Sequence, residues 1–453
     1  MNDVAIIGSG IAGLGCVHFL NHAFRLTLYE REPRAGGHAN TLEIREGGRT
    51  FPVDTGFMVY NEATYPLLTR LFASLGVATK PAPMSFSVCH EQSGIEYRGT
   101  NLDSLFAQRR NLLRPRFWRL LRSILRFNRE ARVALESGAI GERSLGEFLC
   151  DGGFDVSLRE LYLVPMGAAI WSSPAEEMLR FPAETFIRFF HNHGFLGVST
   201  HHQWRTVEGG ARTYVRKLLD SSGARVRLAS PVRKVERRAG GVFVHAENGE
   251  VSRHDHVIFA CHADQALSML ANPDRVESRT LGSFSYQPNV ATVHADPSVM
   301  PRARKAWASW NYRVPRGLEK GRAPSVHYWM NSLQGVPSSE NCFVSLNAEE
   351  RIDSSRVLRT LQYRHPLFDL DAIRAQRDLP ELNARPEAQV SFCGSYFRYG
   401  FHEDALLSAF ELSRQLLGRE PRDGAGLAAG ASRTASHPPQ DRDTIATMNA
   451  GAT

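Results

Sequence analysis

The chain contains 453 residues, of which 42% are hydrophobic and 22% are charged. This composition excludes a fibrous or largely disordered protein, and the length predicts at least two domains. The formal net charge of +7 comes almost entirely from arginine and suits an anionic cofactor or an anionic surface. No recognisable nucleic-acid-binding module accompanies it, so no nucleic-acid partner is expected.

Cysteine spacing and hydropathy indicate the cellular compartment of the protein. The six cysteines are scattered without a CxxC pair, a pattern typical of free thiols in a reducing compartment. The N-terminus enters a strand at once, which leaves no room for a signal peptide. No apolar run approaches the roughly 18 residues of a membrane-spanning helix. We therefore expect a cytoplasmic protein that is not integral to a membrane.

The first forty residues predict a nucleotide-binding βαβ unit. An apolar strand starting at residue 4 breaks into a GxGxxG sequence with Gly8, Gly10 and Gly13 at the glycine positions. Gly8 permits the tight turn, Gly10 lets a pyrophosphate approach the backbone, and Gly13 lets the helix pack on the strand. A second strand ends in Glu30, placed as the partner of a ribose hydroxyl group. The pattern alone fits NAD as well as FAD.

The residues that follow resemble one particular family. The sequence EREPRAGGH, which ends at His38, is similar to the ExxxRxGGR continuation of the flavin-containing amine oxidoreductase superfamily. This group includes monoamine oxidases, phytoene desaturases and protoporphyrinogen oxidases. Only the last position departs, since the family has arginine there. FPVDTGF at residues 51–57 and FCGSYFRYGFHEDAL at residues 392–406 resemble two further motifs that lie near the flavin in the family.

The resemblance implies an α/β fold with a Rossmann-like FAD-binding domain and a discontinuous second α+β domain for the substrate. The FAD-binding domain is expected to comprise residues 1–79, 205–268 and 388–418, and the substrate domain residues 80–204 and 269–387. FAD is expected to bind non-covalently. Its predicted contacts are Gly8, Gly10, Ile11, Ala12, Gly13, Glu30, Arg31, Arg34, Gly36, Gly37, His38, Gly56, Phe57, Val232, Gly394, Ser395, Phe401, His402 and Glu403.

Hydrophobic periodicity predicts the remaining elements. In chain order they are a helix at 58–76, strands at 86–88 and 95–97, a basic helical stretch at 101–135, short helices at 145–150 and 158–162, strands at 226–228, 232–236 and 256–261, and a last helix at 403–417. A hairpin turn is expected at Asn248 and Gly249. Residues 419–453 are rich in Gly, Ala, Ser and Pro and are predicted to be a disordered tail.

The middle of the chain resembles a narrower group. Segments at 162–174, 181–195, 204–215, 308–315 and 327–334 are similar to a bacterial subgroup known only as predicted NAD/FAD-binding proteins. The resemblance then covers almost everything up to about residue 418. Members of this subgroup are often considered with enzymes that modify the acyl chains of membrane lipids. The resemblance therefore implies an apolar small-molecule or lipid substrate.

The resemblance also implies the reaction class, an FAD-dependent oxidase, dehydrogenase or desaturase in which the flavin takes a hydride equivalent. A non-redox isomerase or mutase, an amine oxidase, and a flavoprotein that serves only as a binding partner stay open. Amine oxidases use a lysine near the flavin. The chain has five lysines, Lys80, Lys217, Lys234, Lys305 and Lys320, and none lies in a segment that matches this role. Lys305 alone stays open as a candidate. No catalytic side chain is assigned.

Two further sets of residues are candidates for sites. Large apolar side chains of the second domain could wall a substrate tunnel, although most are expected to be core; they are Met166, Trp171, Phe186, Phe189, Phe190, Tyr328, Trp329 and Met330. A histidine-rich patch lacks any recognised ligand spacing, so no metal is expected; it comprises His191, His193, His201 and His202. His254 and His256 bracket a strand start and are expected to be structural.

The segment between Arg116 and Arg132 predicts a strongly amphipathic helix. At about 100° per residue its apolar side carries Phe117, Leu120, Leu121, Ile124, Phe127 and Ala131, and its basic side carries Arg119, Arg122, Arg126 and Arg129. Between Gln108 and Val133, Glu130 is the only acid. Such a helix fits an interfacial segment on anionic lipid, and it fits equally an ordinary helix packed on its own domain. We expect both, with peripheral contact at the inner face of an anionic membrane.

Overall fold

The computed structural model describes residues 1–197, 202–316, 325–385 and 389–421. The strands in these ranges are β1 (Asp3–Ile7), β2 (Arg25–Tyr29), β3 (Thr41–Glu46), β4 (Arg49–Asp54), β5 (Tyr60–Asn61), β6 (Thr79–Ala82), β7 (Phe86–His90), β8 (Ile95–Arg98), β9 (Trp204–Val207), β10 (Arg225–Arg227), β11 (Val232–Arg238), β12 (Gly241–Ala246), β13 (Val251–His254), β14 (His256–Phe259), β15 (Ser285–His294), β16 (Trp310–Val314), β17 (Ser325–Trp329), β18 (Phe343–Leu346), β19 (Val357–Leu367) and β20 (Val390–Phe392). The helices are α1 (Ile11–Leu20), α2 (Pro66–Ser74), α3 (Leu102–Leu105), α4 (Pro115–Glu136), α5 (Leu145–Asp151), α6 (Val156–Leu158), α7 (Val164–Trp171), α8 (Ala175–Arg180), α9 (Ala183–Asn192), α10 (Arg212–Asp220), α11 (Ala263–Met269), α12 (Arg275–Gly282), α13 (Met330–Leu333), α14 (Leu370–Gln376), α15 (Leu379–Asn383) and α16 (His402–Leu417).

Five parallel strands form the sheet that carries the glycine-rich loop, in the order β10-β2-β1-β14-β20. Alternate residues of β1 enter different cores: Val4 and Ile6 join one apolar cluster, and Ala5 and Ile7 join another. Both faces of the sheet are therefore covered, which explains why β1 is apolar throughout rather than alternating. The predicted Rossmann-like α/β class is confirmed.

The first and last helices of the sheet domain pack against each other. Every residue of α1 is buried. A Cβ atom on Gly15 would lie 2.9 Å from Leu406 Cδ1 and 3.0 Å from Ala409 Cβ, both on α16. This close approach brings the two ends of the described chain to one region, next to the glycine-rich loop.

A second, seven-stranded sheet has the order β19-β15-β18-β17-β16-β7-β8. β16 and β7 are parallel, and the other neighbouring pairs are antiparallel. Its strands lie at 86–98 and 285–367, whereas the parallel sheet takes strands from three other stretches of the chain. The predicted boundaries at 79/80 and 204/205 fall on β6 and β9, which pair with each other; the domain limits stay a prediction.

Two predicted helices are shorter than expected, and in both regions the main helix begins at a proline. The helix predicted at 58–76 is confined to α2, which begins at Pro66. The stretch predicted at 101–135 is divided into α3, a 3₁₀ turn at Arg109–Leu113, and α4, which begins at Pro115. A proline is favoured at the first helical position and drives the preceding residue into extended backbone, as at Arg114 (φ −98°, ψ 110°).

The hairpin and the buried strand predicted in the middle of the chain are confirmed. β12 and β13 pair antiparallel around Asn248 and Gly249, and β14 lies between β1 and β20 in the parallel sheet. Residues 422–453 of the predicted tail lie outside the described residues. In the described ranges, no helix is both long enough and apolar enough to cross a bilayer.

Candidate functional site

The glycine-rich turn between β1 and α1 forms one end of a large cavity. Gly8 has φ +103°, and a Cβ atom there would lie 2.7 Å from the Ala260 carbonyl oxygen; a Cβ on Gly13 would lie 1.9 Å from the Gly8 oxygen. Gly10 differs, since a Cβ on it would have no atom within 4 Å. Gly8 and Gly13 therefore serve packing, whereas Gly10 opens to the cavity. The α1 N-terminus has no side-chain cap and no acid in its first turn, so its amides are free for an anion.

Glu30 is held rigidly at the wall of the cavity, directly after β2. Its Oε2 accepts hydrogen bonds from the Ser9 backbone N–H (2.9 Å) and hydroxyl (2.5 Å), and its Oε1 accepts from the Glu32 backbone N–H (2.9 Å). Only 9% of the residue is exposed. The carboxylate keeps free lone pairs, as a ribose-binding acid needs.

The second glycine pair packs against the first. Gly36 and Gly37 have φ +113° and +55°, which glycine adopts without strain. A Cβ on Gly37 would lie 3.1 Å from Gly10 Cα, and Arg34 Nη1 donates to the Gly37 carbonyl oxygen (3.0 Å). The two loops therefore form one continuous cradle, which a longer side chain would fill.

His38 lies within a cluster of rings that the sequence did not predict. Its centroid is 5.0 Å from that of Tyr363, 5.3 Å from His365 and 6.3 Å from His262. Burial lowers the pKa of His38 to about 4 and those of His262 and His365 to about 3. Among the described residues, the buried atoms His38 Nε2 and His262 Nδ1 have no hydrogen-bond partner. Buried polar atoms normally have one, so the cluster fits a polar or anionic ligand.

The C-terminal motif reaches the same cavity. Gly394 follows β20, and a Cβ on it would lie 2.5 Å from the ring of Tyr396. The His402 ring stacks on Phe57 at 3.8 Å, and its Nε2 lies 3.2 Å from the Tyr214 hydroxyl oxygen. The cavity-lining residues thus come from both ends of the described chain, as the resemblance implied.

Three of the predicted contact residues do not line the cavity. Gly13 packs against the Gly8 backbone, as described above, and a Cβ atom on Gly36 would lie 2.7 Å from the Ala39 carbonyl oxygen. The Glu403 carboxylate accepts hydrogen bonds from the Leu67 and Leu68 backbone N–H groups (2.8 and 3.0 Å) and so caps α2. The remaining predicted contacts all line it; they are Gly8, Gly10, Ile11, Ala12, Glu30, Arg31, Arg34, Gly37, His38, Gly56, Phe57, Val232, Gly394, Ser395, Phe401 and His402.

From the ring cluster the cavity continues to an apolar end, with a total volume of about 2050 Å³. Four of the predicted tunnel residues line it: Met166, Trp171, Phe189 and Tyr328. The other four are not among its lining residues and pack in the surrounding structure; they are Phe186, Phe190, Trp329 and Met330. The aromatic wall is nevertheless dense, since the Trp171 ring centroid lies 4.6 Å from Phe181 and 4.8 Å from Phe189.

Polar groups also occur among the apolar lining residues, and two of them lie next to the aromatic wall without a described partner. Asn128 Oδ1 and Trp310 Nε1 are buried and have no hydrogen-bond partner in the described ranges. None of the described lysines lines the cavity. Lys305, the one left open, forms an ion pair with Asp103 (3.0 Å) at the surface, and Lys320 lies outside the described residues. The lysine expected of an amine oxidase is therefore missing from the described wall.

Two histidines of the histidine-rich patch have protein partners in the described structure. His193 Nδ1 lies 3.0 Å from the Phe189 carbonyl oxygen and Nε2 3.3 Å from Thr64 Oγ1. His202 Nε2 lies 3.0 Å from the Asn192 carbonyl oxygen. His201 lies outside the described residues. In the part of the chain that the structure describes, no His, Cys, Asp and Glu side chains group as metal ligands.

The paired histidines at the start of β14 have structural partners. His254 Nδ1 lies 2.6 Å from Asp3 Oδ1, and its Nε2 lies 3.1 Å from the Tyr29 hydroxyl oxygen. His256 Nε2 lies 2.9 Å from Ser391 Oγ. His254 therefore ties β13 to β1 and β2, and His256 ties β14 to β20, as expected of structural residues.

Several site residues were missed because their signal is positional. His262 lies three residues beyond the end of β14, and ligands of parallel sheets bind beyond the carboxyl ends of the strands; that rule could have identified it. Tyr363 and His365 lie on β19, an edge strand of the other sheet. Nothing in the local sequence of β19 marks it as part of the site.

Comparison with known proteins gives the family. The flavin containing amine oxidoreductase model matches residues 11–305. The putative flavin-containing monoamine oxidase AofH of Mycobacterium tuberculosis is 27% identical over 257 residues, 55% of this chain and 54% of that protein. A carotenoid phi-ring synthase of Streptomyces griseus is 25% identical over 314 residues, 65% of this chain and 58% of that protein. The chain thus spans little more than half the length of the curated relatives it matches.

A solved structure shares the fold. Putrescine oxidase bound to putrescine superposes with a TM-score of 0.67, over 92% of this chain and 99% of that chain, at 15% identity. At this identity the likeness concerns the fold alone. Because the family model spans more than half of the sequence, and because the glycine loops and the C-terminal motif meet at one cavity, the chain belongs to the flavin containing amine oxidoreductase family.

Proposed function

We propose that the protein is an FAD-dependent oxidoreductase whose substrate is an apolar molecule held at the far end of the cavity. One observation carries the proposal: a single space of about 2050 Å³ joins the two glycine loops to the aromatic wall. Ordinary ligand pockets measure roughly 300–1,000 Å³. The cavity therefore has room for a dinucleotide and for a substrate beside it.

The residues at the nucleotide end suit FAD. The amides at the N-terminus of α1 and the open face of Gly10 would receive the diphosphate, with His38 and His262 supplying polar atoms that otherwise lack partners. Glu30 would accept hydrogen bonds from the adenosine ribose. When bound, the flavin accepts a hydride equivalent. The protein's part is to orient the cofactor and exclude water.

The lining of the other end supports an apolar substrate. The carboxylates along the described cavity wall are Glu30, Glu32 and Glu247, all at the nucleotide end. A diamine dication would therefore meet no counter-charge near the aromatic wall, and an unpaired buried charge is costly. The neutral groups of Asn128 and Trp310 could bind one uncharged polar group of an otherwise apolar molecule. The name of the phi-ring synthase relative points to the same substrate class.

Oxidation of a simple amine is the second candidate, because the names of AofH and putrescine oxidase indicate it. The absence of a lysine from the described wall weighs against it. A membrane-lipid acyl chain is the apolar substrate to test first, since the bacterial subgroup that the sequence resembles is considered with acyl-chain-modifying enzymes.

The test has two stages. Purified protein is first examined for a flavin absorbance band, before and after reconstitution with FAD; lack of a band in both would overturn the cofactor assignment. The holoenzyme is then mixed without oxygen with phospholipid, carotenoid, benzylamine or putrescine. Bleaching by an apolar compound alone supports the proposal, whereas bleaching by an amine alone replaces it with amine oxidation.

Lipid profiles test the acyl-chain substrate. Total acyl chains are compared in cells with and without the protein, and identical profiles would exclude a membrane-lipid acyl chain. Turnover that requires prior reduction of the flavin by dithionite, with no net oxidation of the substrate, would instead indicate an isomerase.

A further inference from the structure

Apolar side chains remain exposed around the start of α4. Of the eleven large apolar side chains that are exposed in the described ranges, six lie within 32 consecutive residues: Leu102, Leu112, Leu113, Trp118, Leu125 and Val133. Leu113 is 87% exposed, Leu125 57% and Trp118 42%. An aromatic side chain and several leucines left in water at one place indicate an interaction surface.

Four of these side chains, Leu112, Leu113, Trp118 and Leu125, are neighbours around the start of α4. Trp118 and Leu125 are seven residues apart on α4 and therefore lie on one face of the helix. Trp118 Nε1 donates to the Leu112 carbonyl oxygen (2.9 Å), which fixes the preceding 3₁₀ turn beside that face. We call Leu112, Leu113, Trp118 and Leu125, with Arg119, Arg122 and Arg129 beside them, the docking surface.

The opposite side of α4 is occupied by the protein itself. Phe117, Leu120, Phe127 and Ala131 are fully buried, so the amphipathic pattern is first of all the pattern of a packed helix. Arg126 was predicted to be part of the basic face, but it makes contacts within the protein instead. Its guanidinium donates to the carbonyl oxygens of Gly152 and Gly153 and lies over the Phe154 ring at 4.6 Å.

The segment that carries the docking surface has a strongly positive net charge. Nine arginines and one acid, Glu130, lie between Gln108 and Val133. Arg122 forms no ion pair with a described residue, and Arg119 has only a longer-range electrostatic interaction with Asp155. Arg129 is 75% exposed in its side chain and shares Glu130 with Arg126. Apolar side chains bordered by arginines in large excess over acids match the composition of segments that bind anionic lipid.

The docking surface adjoins the cavity. Leu121, Ile124, Leu125 and Asn128 of α4 line the apolar end of the cavity, so one helix contributes to both. Leu125 is at once a lining residue and more than half exposed. The cavity therefore reaches the surface beside the exposed leucines.

We propose that the docking surface binds an anionic lipid bilayer, with Leu112, Leu113 and Trp118 at the boundary between headgroups and acyl chains and the arginines at lipid phosphates. An apolar substrate would then pass from the bilayer into the cavity without crossing water. This passage rests on the proposed function; the docking does not. Each arginine near an anionic surface strengthens binding about five-fold.

The test is sedimentation of the purified full-length protein with vesicles. Wild-type protein should pellet with vesicles of phosphatidylcholine and phosphatidylglycerol at low salt, remain in solution with phosphatidylcholine alone, and be released by high salt. The triple variant Arg119→Gln, Arg122→Gln, Arg129→Gln should bind roughly 100-fold more weakly. Leu113→Ser should also weaken binding.

Matched variants separate this surface from general charge and hydrophobicity. Arg45→Gln, Arg233→Gln and Arg275→Gln remove the same charge from exposed sites elsewhere, and Leu358→Ser removes another exposed leucine, 49% exposed. These controls should sediment as wild type does. Flavin absorbance of every variant shows whether it is folded.

Three outcomes would each overturn the docking. Wild-type protein that stays in solution with anionic vesicles at low salt would do so. Undiminished binding by the triple arginine variant would also do so, as would equal loss in the control variants. All three are read without turnover, so their failure is distinct from failure of the proposed function.

Discussion

Gly10 and Gly13 offer a paired test of the cofactor site, because an added side chain should act on flavin binding at Gly10 and on folding at Gly13. A Cβ at Gly10 meets no atom within 4 Å and points into the cavity. The backbone there (φ −64°, ψ 176°) is open to any residue. Gly10→Val should therefore change the stability of the flavin-free protein by no more than about 1 kcal/mol.

Flavin binding, in contrast to stability, should be strongly weakened by Gly10→Val. A valine side chain would occupy the space through which a diphosphate reaches the α1 amides, where hydrogen bonds need N···O distances of about 2.9 Å. Hydrogen bonds to a charged group are worth about 1.5–3 kcal/mol each. Loss of two corresponds to about 3–6 kcal/mol, that is, at least a 100-fold loss of affinity.

Gly13→Ala is the contrasting variant. Its Cβ would lie 1.9 Å from the Gly8 carbonyl oxygen and 3.3 Å from Ala260 Cβ, so α1 must shift. Overpacking of this kind costs about 3 kcal/mol, which should lower the Tm of the flavin-free protein by roughly 3 °C in a chain of this length.

Fluorescence titration with FAD and thermal unfolding of the flavin-free protein measure both effects. Wild-type affinity in Gly10→Val would refute the assignment of this loop to the diphosphate. An unchanged Tm in Gly13→Ala would show that the contact between helix and strand is looser than the structure has it.

Four further predictions concern the cavity. Burial lowers the pKa of His38 from 6.5 to about 4, so its contribution to stability is present above pH 6.5 and falls away as the pH drops towards 4; His38→Gln should flatten the pH dependence of Tm in the flavin-free protein, and an unchanged profile would contradict this. Because a diphosphate would favour the imidazolium, FAD affinity should rise as the pH falls from about 7 to 5, and titrations of His38→Arg should show no such slope. Flavin should be released completely by acid precipitation, since Cys393 Sγ is buried 3.7 Å from Cys16 Sγ and burial raises the pKa of the cavity-lining Cys261 thiol to about 12; flavin retained in the pellet would show a covalent link. Asn128→Leu should raise Tm by a few degrees because it removes an unpaired buried oxygen, and a lower Tm would mean that the oxygen has a partner.

The sequence by itself determined the nucleotide end of the site. The spacing of Gly8, Gly10 and Gly13, the acid at Glu30 and the continuous apolar strand β14 are set by local backbone requirements. Each of these requirements restricts which residue types can occupy a few neighbouring positions. The pattern is therefore visible without knowledge of the rest of the chain.

Only the tertiary structure shows which way the side chains of the C-terminal motif point. The motif identified the segment around Gly394 and α16, and His402 does face the cavity. Its neighbour Glu403 points to α2 instead. Adjacent residues at a helix start diverge by about 100°, so a correct segment does not fix which of its side chains meet a ligand.

The apolar end was decided by packing between distant elements. Phe186 and Phe189 lie one turn apart on α9, and both are buried, yet Phe189 lines the cavity and Phe186 does not. Periodicity predicts which face of a helix leaves water. Whether that face meets other side chains or an open space depends on how closely the neighbouring elements approach it, which no local pattern in the sequence records.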